Sequence, residues 1–434
     1  MKKTTAFIIS HESNPKRTAD NKSMSIIALT LTRALGRENV DVVRVHPNLF
    51  DYSLSSKYCT AVEICPNLYE SEDSLTDFLN DLSSRYPGKK VLIPASDDCS
   101  LFLARHEDKL SKEFILLNPS ASTMRWVKNK RLQYELAAAT NVPIPETYFP
   151  ECQEDVLELS KSLADYPYII KPLEAQKWRL SNYSGVANGK KAITVHSARE
   201  MLAEYQRISP HDKDIMIQEI ISGRDDKLFT FLGYCSDEHK PLAYCIRKKI
   251  RQNPVDFGYC TSTVSCHNDH IDKYARRLLE HSDYRGIVGI EFKYDSKTDS
   301  YKLIEVNTRS VNTTGLSIGC GVNLPYIAYS DAIGEEPEPT TDWQDGVTWV
   351  RLHEDFSAAR QLRRRGELTY FQWLKSIGGK RTHAVYSSDD VRPFSQYYYW
   401  YLKQLLSRVL RIGSVSEAAR GNRSGQRRAT SRLK

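Results

Sequence analysis

No run of about 18 apolar residues occurs in the chain, so no membrane-spanning helix is expected. The basic start, Met1-Lys-Lys, leads into only a short apolar stretch from Ala6 to Ile9. That is too little for a signal peptide and better suits a first strand. The nine cysteines are odd in number and scattered, and no Cys-x-x-Cys pair exists. Several sit in strand-like apolar segments such as Ala243-Tyr-Cys-Ile246. Buried, reduced thiols in a cytoplasmic protein are therefore expected, and neither a disulfide nor a metal framework. No Gly-x-Gly-x-x-Gly follows the first strand, which leaves dinucleotide binding unsupported. No Ser–His–Asp or Cys–His arrangement is legible, and there is no internal repeat. A basic body is also missing. The formal net charge is +7, yet Ser407 to Lys434 alone hold seven Arg and one Lys against one Glu, so residues 1–406 are neutral. Duplex nucleic acid is not an expected partner of such a body.

What is present suits a multidomain globular enzyme: 434 residues, 40% apolar and 26% charged. Up to Leu117, strand and helix signals alternate. Strands are expected at Thr5 to Ser10, Val40 to Val45, Lys90 to Pro94 and Phe114 to Leu117. Helices are expected at Lys22 to Leu35, Asp73 to Ser84 and Cys99 to Leu110. This alternation predicts a parallel α/β sheet, Rossmann-like in layout, over residues 1–124. Asn129 to Ala139 reads as a helix ended by Val142-Pro-Ile-Pro145. From Tyr166 to about Tyr329 strands dominate, an α+β pattern over residues 125–335. Gly334 to Asp342 reads as a linker. Beyond it a helical C-terminal extension is expected over residues 336–412, with helices at Phe356 to Arg365, Phe371 to Ile377 and Ser395 to Ile412. Residues 413–434, basic and without apolar pattern, are expected to be a disordered tail.

The most telling segment runs from Ile287 to Asn307. It reads as two strands, Ile287 to Tyr294 and Tyr301 to Asn307, joined by a polar turn. If they pair with Glu291 opposite Glu305, alternation puts Glu291, Glu305 and Asn307 on one face. Ile290, Phe292, Ile304 and Val306 then share the other, against a core. Two carboxylates and an amide oxygen form a hard donor set suited to Mg2+ or Mn2+. Arg309 adds a cation for a negative group beside it. A surface hairpin with incidental acids is the plain alternative.

In order along the chain, several segments resemble the ATP-grasp superfamily, and within it the carboxylate–amine ligase branch that includes D-aspartate ligase-like proteins. Asn129-Lys130 and Val142-Pro-Ile-Pro-Glu-Thr147 resemble the opening of its nucleotide-binding portion. Tyr166-Pro-Tyr-Ile-Ile-Lys-Pro172 resembles the strand carrying its second phosphate-contacting lysine. Met216-Ile-Gln-Glu-Ile-Ile-Ser-Gly223 resembles its hinge, and the hairpin its metal-binding end. Ile246 to Gly258, Cys320 to Tyr326, Trp349 to His353 and Ser387 to Asp390 also fit the branch. The resemblance implies a Rossmann-like domain before an ATP-grasp fold, with a lid over roughly residues 165–222. It implies ATP bound by Lys130, Lys171, Gln218, Glu219, Ile220, Ile221 and Asp226 (or Asp225), with magnesium on Glu291, Glu305 and Asn307. Arg309, Lys249 and Arg251 would act on the reacting groups. One departure stands out. Leu173 to Gly189 has only Gly185 and Gly189, with Trp178, Arg179 and Tyr183, where the family carries a glycine-rich phosphate loop; Ser181 and Ser184 are candidate substitutes.

The implied chemistry joins a small carboxylate to an amine through an acyl phosphate, releasing ADP. Two other readings are a bicarbonate-activating carboxylase and an ATP-binding module without turnover. Each residue also has a structural alternative. Lys171 before Pro172 could end an edge strand. Glu219 could be a salt-bridged strand acid. Arg247, Lys249 and Arg251 alternate along a strand and could form a solvated face. The aromatic segment Ser395 to Ile412 suits packing on the body. Docking on an anionic membrane through it and the tail is the other option.

Overall fold

The computed structural model describes residues 4–11, 26–49, 51–174, 177–179, 184–187, 192–256 and 258–403. The basic tail, the aromatic helix beyond residue 403, Ser181 and Tyr183 lie outside them.

The first unit is a parallel sheet of β1 (Thr4–Ile9), β2 (Asp41–His46), β3 (Ala61–Ile64), β4 (Lys89–Pro94) and β5 (Ile115–Leu116), in the order β3-β2-β1-β4-β5. Alternate residues of β1 feed two cores. Ala6 and Ile8 pack with α1 (Ile26–Gly36), while Phe7 and Ile9 pack with α2 (Glu72–Ser84) and α3 (Asp97–Arg105). Burial on both faces explains why this strand reads as continuously apolar. The single helix expected over Cys99 to Leu110 is two helices, broken at His106, where φ −108° and ψ 20° leave helical geometry.

Next come α4 (Ala121–Lys128) and α5 (Lys130–Ala139). The Asn129 side chain caps α5, accepting from the Arg131 and Leu132 amides at 2.9 and 3.4 Å, which fixes where Lys130 starts its helix. A small lid sheet follows: β6 (Thr147–Tyr148), β7 (Tyr168–Pro172), β8 (Ile193–Val195) and β9 (Ile215–Glu219), in the order β6-β9-β7-β8. With α6 (Gln153–Ser162) and α7 (Ala198–Ile208) it encloses its own core, including Ile170, Trp178, Met201 and Ile217.

The large sheet is formed by β10 (Leu228–Cys235), β11 (Pro241–Asn253), β12 (Tyr259–Ser265), β13 (Gly286–Asp295), β14 (Ser300–Asn307), β15 (Thr348–Val350) and β16 (Arg381–His383). Its order is β14-β13-β10-β11-β12-β15-β16. One apolar face packs on α8 (Asp269–Glu280) and α9 (Leu324–Ala332). The segment after residue 336, expected to be helical, therefore also supplies two strands. Its helices are α10 (Leu352–Arg364), α11 (Tyr370–Ser376) and one starting at residue 392. The linker is not free either: Thr340 bonds the backbone of Leu242 and Tyr244. Asp390 ties this region to the first unit, taking the buried Arg33 guanidinium at 2.9 Å and the Ser56 hydroxyl at 2.6 Å. Among the described residues, no helix is long and apolar enough to cross a membrane.

Candidate active site

The β13–β14 hairpin pairs Glu291 with Glu305 and Gly289 with Asn307, so all three donors share one face. A bulge follows immediately. Phe292 pairs with Leu303, not Ile304, so Leu303 takes the buried place expected for Ile304. The Ile304 carbonyl is turned to other use: it accepts from the Lys130 ammonium at 3.1 Å, which also donates to Gln133 Oε1 at 3.1 Å. Like charges opposite one another destabilise a strand pair unless a cation offsets them. Here Lys130 lies within electrostatic reach of both carboxylates, and Arg247 approaches Glu291 at 3.4 Å.

Lys171, on β7 opposite Met216, faces the same place from the lid. Burial pushes its ammonium down to about 7, Lys130 pushes the same way, and Glu305 opposes both. Among the described residues no side chain pairs with it. Burial likewise lowers Lys130, with Glu305 opposing. Two lysines held in a dry site with incomplete neutralisation are complementary to an anion that brings its own charge.

Arg309 reaches the site differently. Its guanidinium donates to Asp97 Oδ2 at 2.5 Å and to the Ser310 carbonyl at 2.9 Å, while its Nε has no partner. Burial alone would raise the Asp97 carboxyl, but Arg309 and Lys128 outweigh it and hold it well below the usual carboxylate range. Asp97 was not legible as a site residue, nor was Lys128, which pairs with it at 3.0 Å. Their signal is topological. Asp97 follows β4, and β1/β4 is where the strand order reverses, the usual ligand crevice of a parallel sheet.

Arg247, Lys249 and Arg251 do not form a solvated face: they are 2%, 6% and 4% exposed. Their partners separate them. Lys249 donates only to the neutral Gln252 amide oxygen, at 3.2 Å, and lies near Asp225 and Lys293. Arg251, expected to act on reacting groups, is committed elsewhere. It grips Asp355 with two bonds of 3.0 and 2.7 Å and Ser376 with a third of 2.7 Å, because irregular pairing of β11 with β12 turns it toward α10. Lys293 was missed, although the same alternation that places Glu291 places it two residues on. It bonds the Ile221 carbonyl at 2.7 Å.

The hinge is less open than expected. Gln218 is 2% exposed and spends its amide protons on Tyr134 and Thr147, so its side chain braces the lid. Glu219 accepts from the Glu146 amide at 2.9 Å and from Lys302 at 2.5 Å, the salt-bridged alternative. Among the described residues, Ile220 makes no backbone hydrogen bond, which leaves its amide and carbonyl available. Asp226 is exposed, whereas Asp225 accepts from Gln252 at 2.7 Å within the basic cluster. In the lid loop, Trp178 is buried and donates to Asp212 at 2.7 Å.

The donor set fits a hard divalent ion. The side chains of Glu305 and Asn307 make no hydrogen bond or salt bridge among the described residues, and both share a face with Glu291. Among the described residues no three His, Cys, Asp or Glu are gathered to hold a metal unaided. An ion here would draw further oxygens from water or a phosphate, as magnesium does.

A sequence family described as ATP-grasp in the biosynthetic pathway with Ter operon matches residues 235–354. The D-aspartate ligase of Enterococcus faecium (strain Aus0004) is 23% identical over 346 residues, spanning 73% of this chain and 81% of that protein. Among solved structures, an ADP complex of N5-carboxyaminoimidazole ribonucleotide synthetase aligns over 84% of this chain and 85% of its own, with TM-score 0.60 and 13% identity. The L-amino acid ligase of Bacillus licheniformis aligns over 77% and 75%, with TM-score 0.54 and 14% identity.

Proposed function

We propose that the chain is an ADP-forming ligase of the ATP-grasp superfamily, joining a small carboxylate to an amine. One observation carries this reading. The in-register pair Glu291 and Glu305 faces two buried lysines from separate elements, Lys130 and Lys171, the second bonded to no side chain among the described residues. Such a centre matches a metal–triphosphate in charge.

Lys130 and Lys171 would hold phosphate oxygens, and Glu291, Glu305 and Asn307 would hold Mg2+ or Mn2+. The bound ion would supply charge neutralisation at the phosphates. Ile220 would offer its backbone to the adenine, and Asp225, held beside Gln252, or the exposed Asp226 would meet the ribose. A carboxylate oxygen of the substrate attacks the γ-phosphorus, the bond to the bridging oxygen breaks, and ADP leaves. The amine nitrogen then attacks the acyl carbon, phosphate departs with the carbon–oxygen bonding pair, and the amine's extra proton passes to water or phosphate. Neither step uses a covalent nucleophile of the protein. Arg309, aimed by Asp97, and Lys249, which bonds no acid among the described residues, offset the negative charge of the reacting groups.

The test is ADP release by the purified chain with ATP and magnesium, screened against pools of amino acids and hydroxy acids. A pool that raises release, with loss of that rise in Glu305→Gln, is the expected result. Equal release by wild type and Glu305→Gln, or no stimulation by any pool, overturns the reading.

A further inference from the structure

Away from the site, α11 is apolar on two sides. Tyr370 and Trp373 lean on α10, stacking on and edging against Phe356 at centroid distances of 6.0 and 5.3 Å, though Tyr370 and Phe356 themselves stay 37% and 43% exposed. Phe371 and Leu374, three residues apart on the outer side, are 78% and 57% exposed. A seven-residue helix capped at Thr369 by a reciprocal bond with Gln372 is thus firmly held while its two bulkiest outward groups stand in water. Singly exposed apolar residues are ordinary, but Phe371, at 78%, is the most exposed large apolar side chain among the described residues and stands next to a second on the same short helix.

Its surroundings specify the cover. Residues 360–375 carry Arg360, Arg363, Arg364, Arg365 and Lys375, all exposed, against Glu367 alone. Arg365 pairs with Asp256 and Glu367 with Arg224. Among the described residues, Arg360, Arg364 and Lys375 have no acidic partner, and Arg363 lies over the Tyr370 ring at 4.6 Å. A second copy of the chain, docked face to face about a two-fold axis, would bring these cations against one another. An acidic peptide would need a groove, whereas a 78%-exposed phenylalanine projects. Single-stranded nucleic acid stacks on rings, and the exposed aliphatic Leu374 adds nothing to stacking. Projecting aromatic and aliphatic groups with exposed, unpaired arginines on the neighbouring helix are what the headgroup boundary of an anionic bilayer accepts.

We propose that the α10–α11 surface docks the protein on anionic lipid, with Phe371 and Leu374 entering the headgroup boundary and Arg360, Arg363, Arg364 and Lys375 meeting phosphates. This contact differs from the C-terminal helix and tail. It also lies close to the candidate active site: Trp373 and Ser376 of α11 bond Asp355 and Arg251, the latter two residues from Lys249. A docked molecule would hold that end of the large sheet toward the bilayer.

Flotation of the full-length chain with phosphatidylcholine vesicles, with and without phosphatidylglycerol, tests this against a Phe371→Ser/Leu374→Ser variant. The wild type is expected to float only with the anionic vesicles. The variant should lose about tenfold in partitioning while keeping wild-type thermal stability and elution volume. Failure of the wild type to float overturns the proposal, as does equal flotation of the variant, which would assign binding to the tail. A wild-type dimer that the variant converts to monomer, or retention on single-stranded nucleic acid that the variant loses, would assign the surface to another partner and also overturn it.

Discussion

Lys249 and Arg251 lie two residues apart on β11, at 6% and 4% exposure, and they meet opposite neighbours. Arg251 holds a fully buried aspartate with two bonds, so its charge is neutralised inside the fold. Among the described residues Lys249 bonds only an amide oxygen, with Asp225 and another lysine, Lys293, as neighbouring charges. Removing a cation from water is costly, and an acid partner is the usual compensation. A buried cation with such a partner is part of the architecture. One that bonds no acid among the described residues, with Lys293 nearby, would under the proposed function keep its charge for something that enters later. The contrast separates scaffold from site without reference to any relative.

The largest effect expected from breaking this contrast is on stability. Arg251→Met strands the Asp355 carboxylate in the interior and should cost about 3–5 kcal/mol, read by urea unfolding. A loss below about 1 kcal/mol would mean that Asp355 is not held by this arginine.

His11 sharpens the contrast from a third direction, as a buried base that gives up its proton. Burial, then His46, pushes its imidazole down to about 3; it is 2% exposed and close to the Cys65 thiol at 3.3 Å. The unfolded chain takes up a proton near pH 6.5 while the folded chain stays neutral, so stability falls with pH below that point. By pH 4 the loss from this group should reach about 3 kcal/mol, at 1.36 kcal/mol per unit. His11→Gln should flatten that part of the pH–stability curve. An unchanged slope would show that the ring is protonated in the fold.

Lys249→Met should do the reverse of Arg251→Met. Stability should hold within about 1 kcal/mol, while substrate-stimulated ADP release drops roughly a hundredfold, about 2.7 kcal/mol in barrier. Loss of stability with unchanged release would move Lys249 to the scaffold. The smallest change is Asn129→Ala, which removes the cap that sets Lys130 and should cost about 1 kcal/mol in thermal unfolding, with a rise in apparent KM for ATP. An unaltered melting temperature would show that the cap does not hold this helix start.

The legible parts of the molecule rest on short-range pattern. Alternation along the chain is enough for the parallel sheet of the first unit and for the Glu291/Glu305 register, because side-chain direction repeats every two residues. What alternation cannot carry is an irregularity. The bulge after Glu291 exchanges Leu303 for Ile304, and irregular pairing on β11 sends Arg251 to α10. Nor can it carry partners distant in sequence. Asp97 meets Arg309 across 212 positions and Arg251 meets Asp355 across 104, so neither pairing has a local signal. Strands β15 and β16, three residues each, are too short to show a period and owe their place to the edge of a sheet already built. Summed charge misled in its own way. A neutral body conceals the arginine run of α10, because acids elsewhere cancel it in the total but not in space.

In the proposed function Glu291, Glu305 and Asn307 share one ion with a nucleotide. Anomalous scattering from crystals grown with ADP and Mn2+ locates that ion directly. A manganese peak bonded to oxygens of all three side chains and of the diphosphate is the predicted result. A peak elsewhere, or nucleotide bound with no metal at the hairpin, would contradict it.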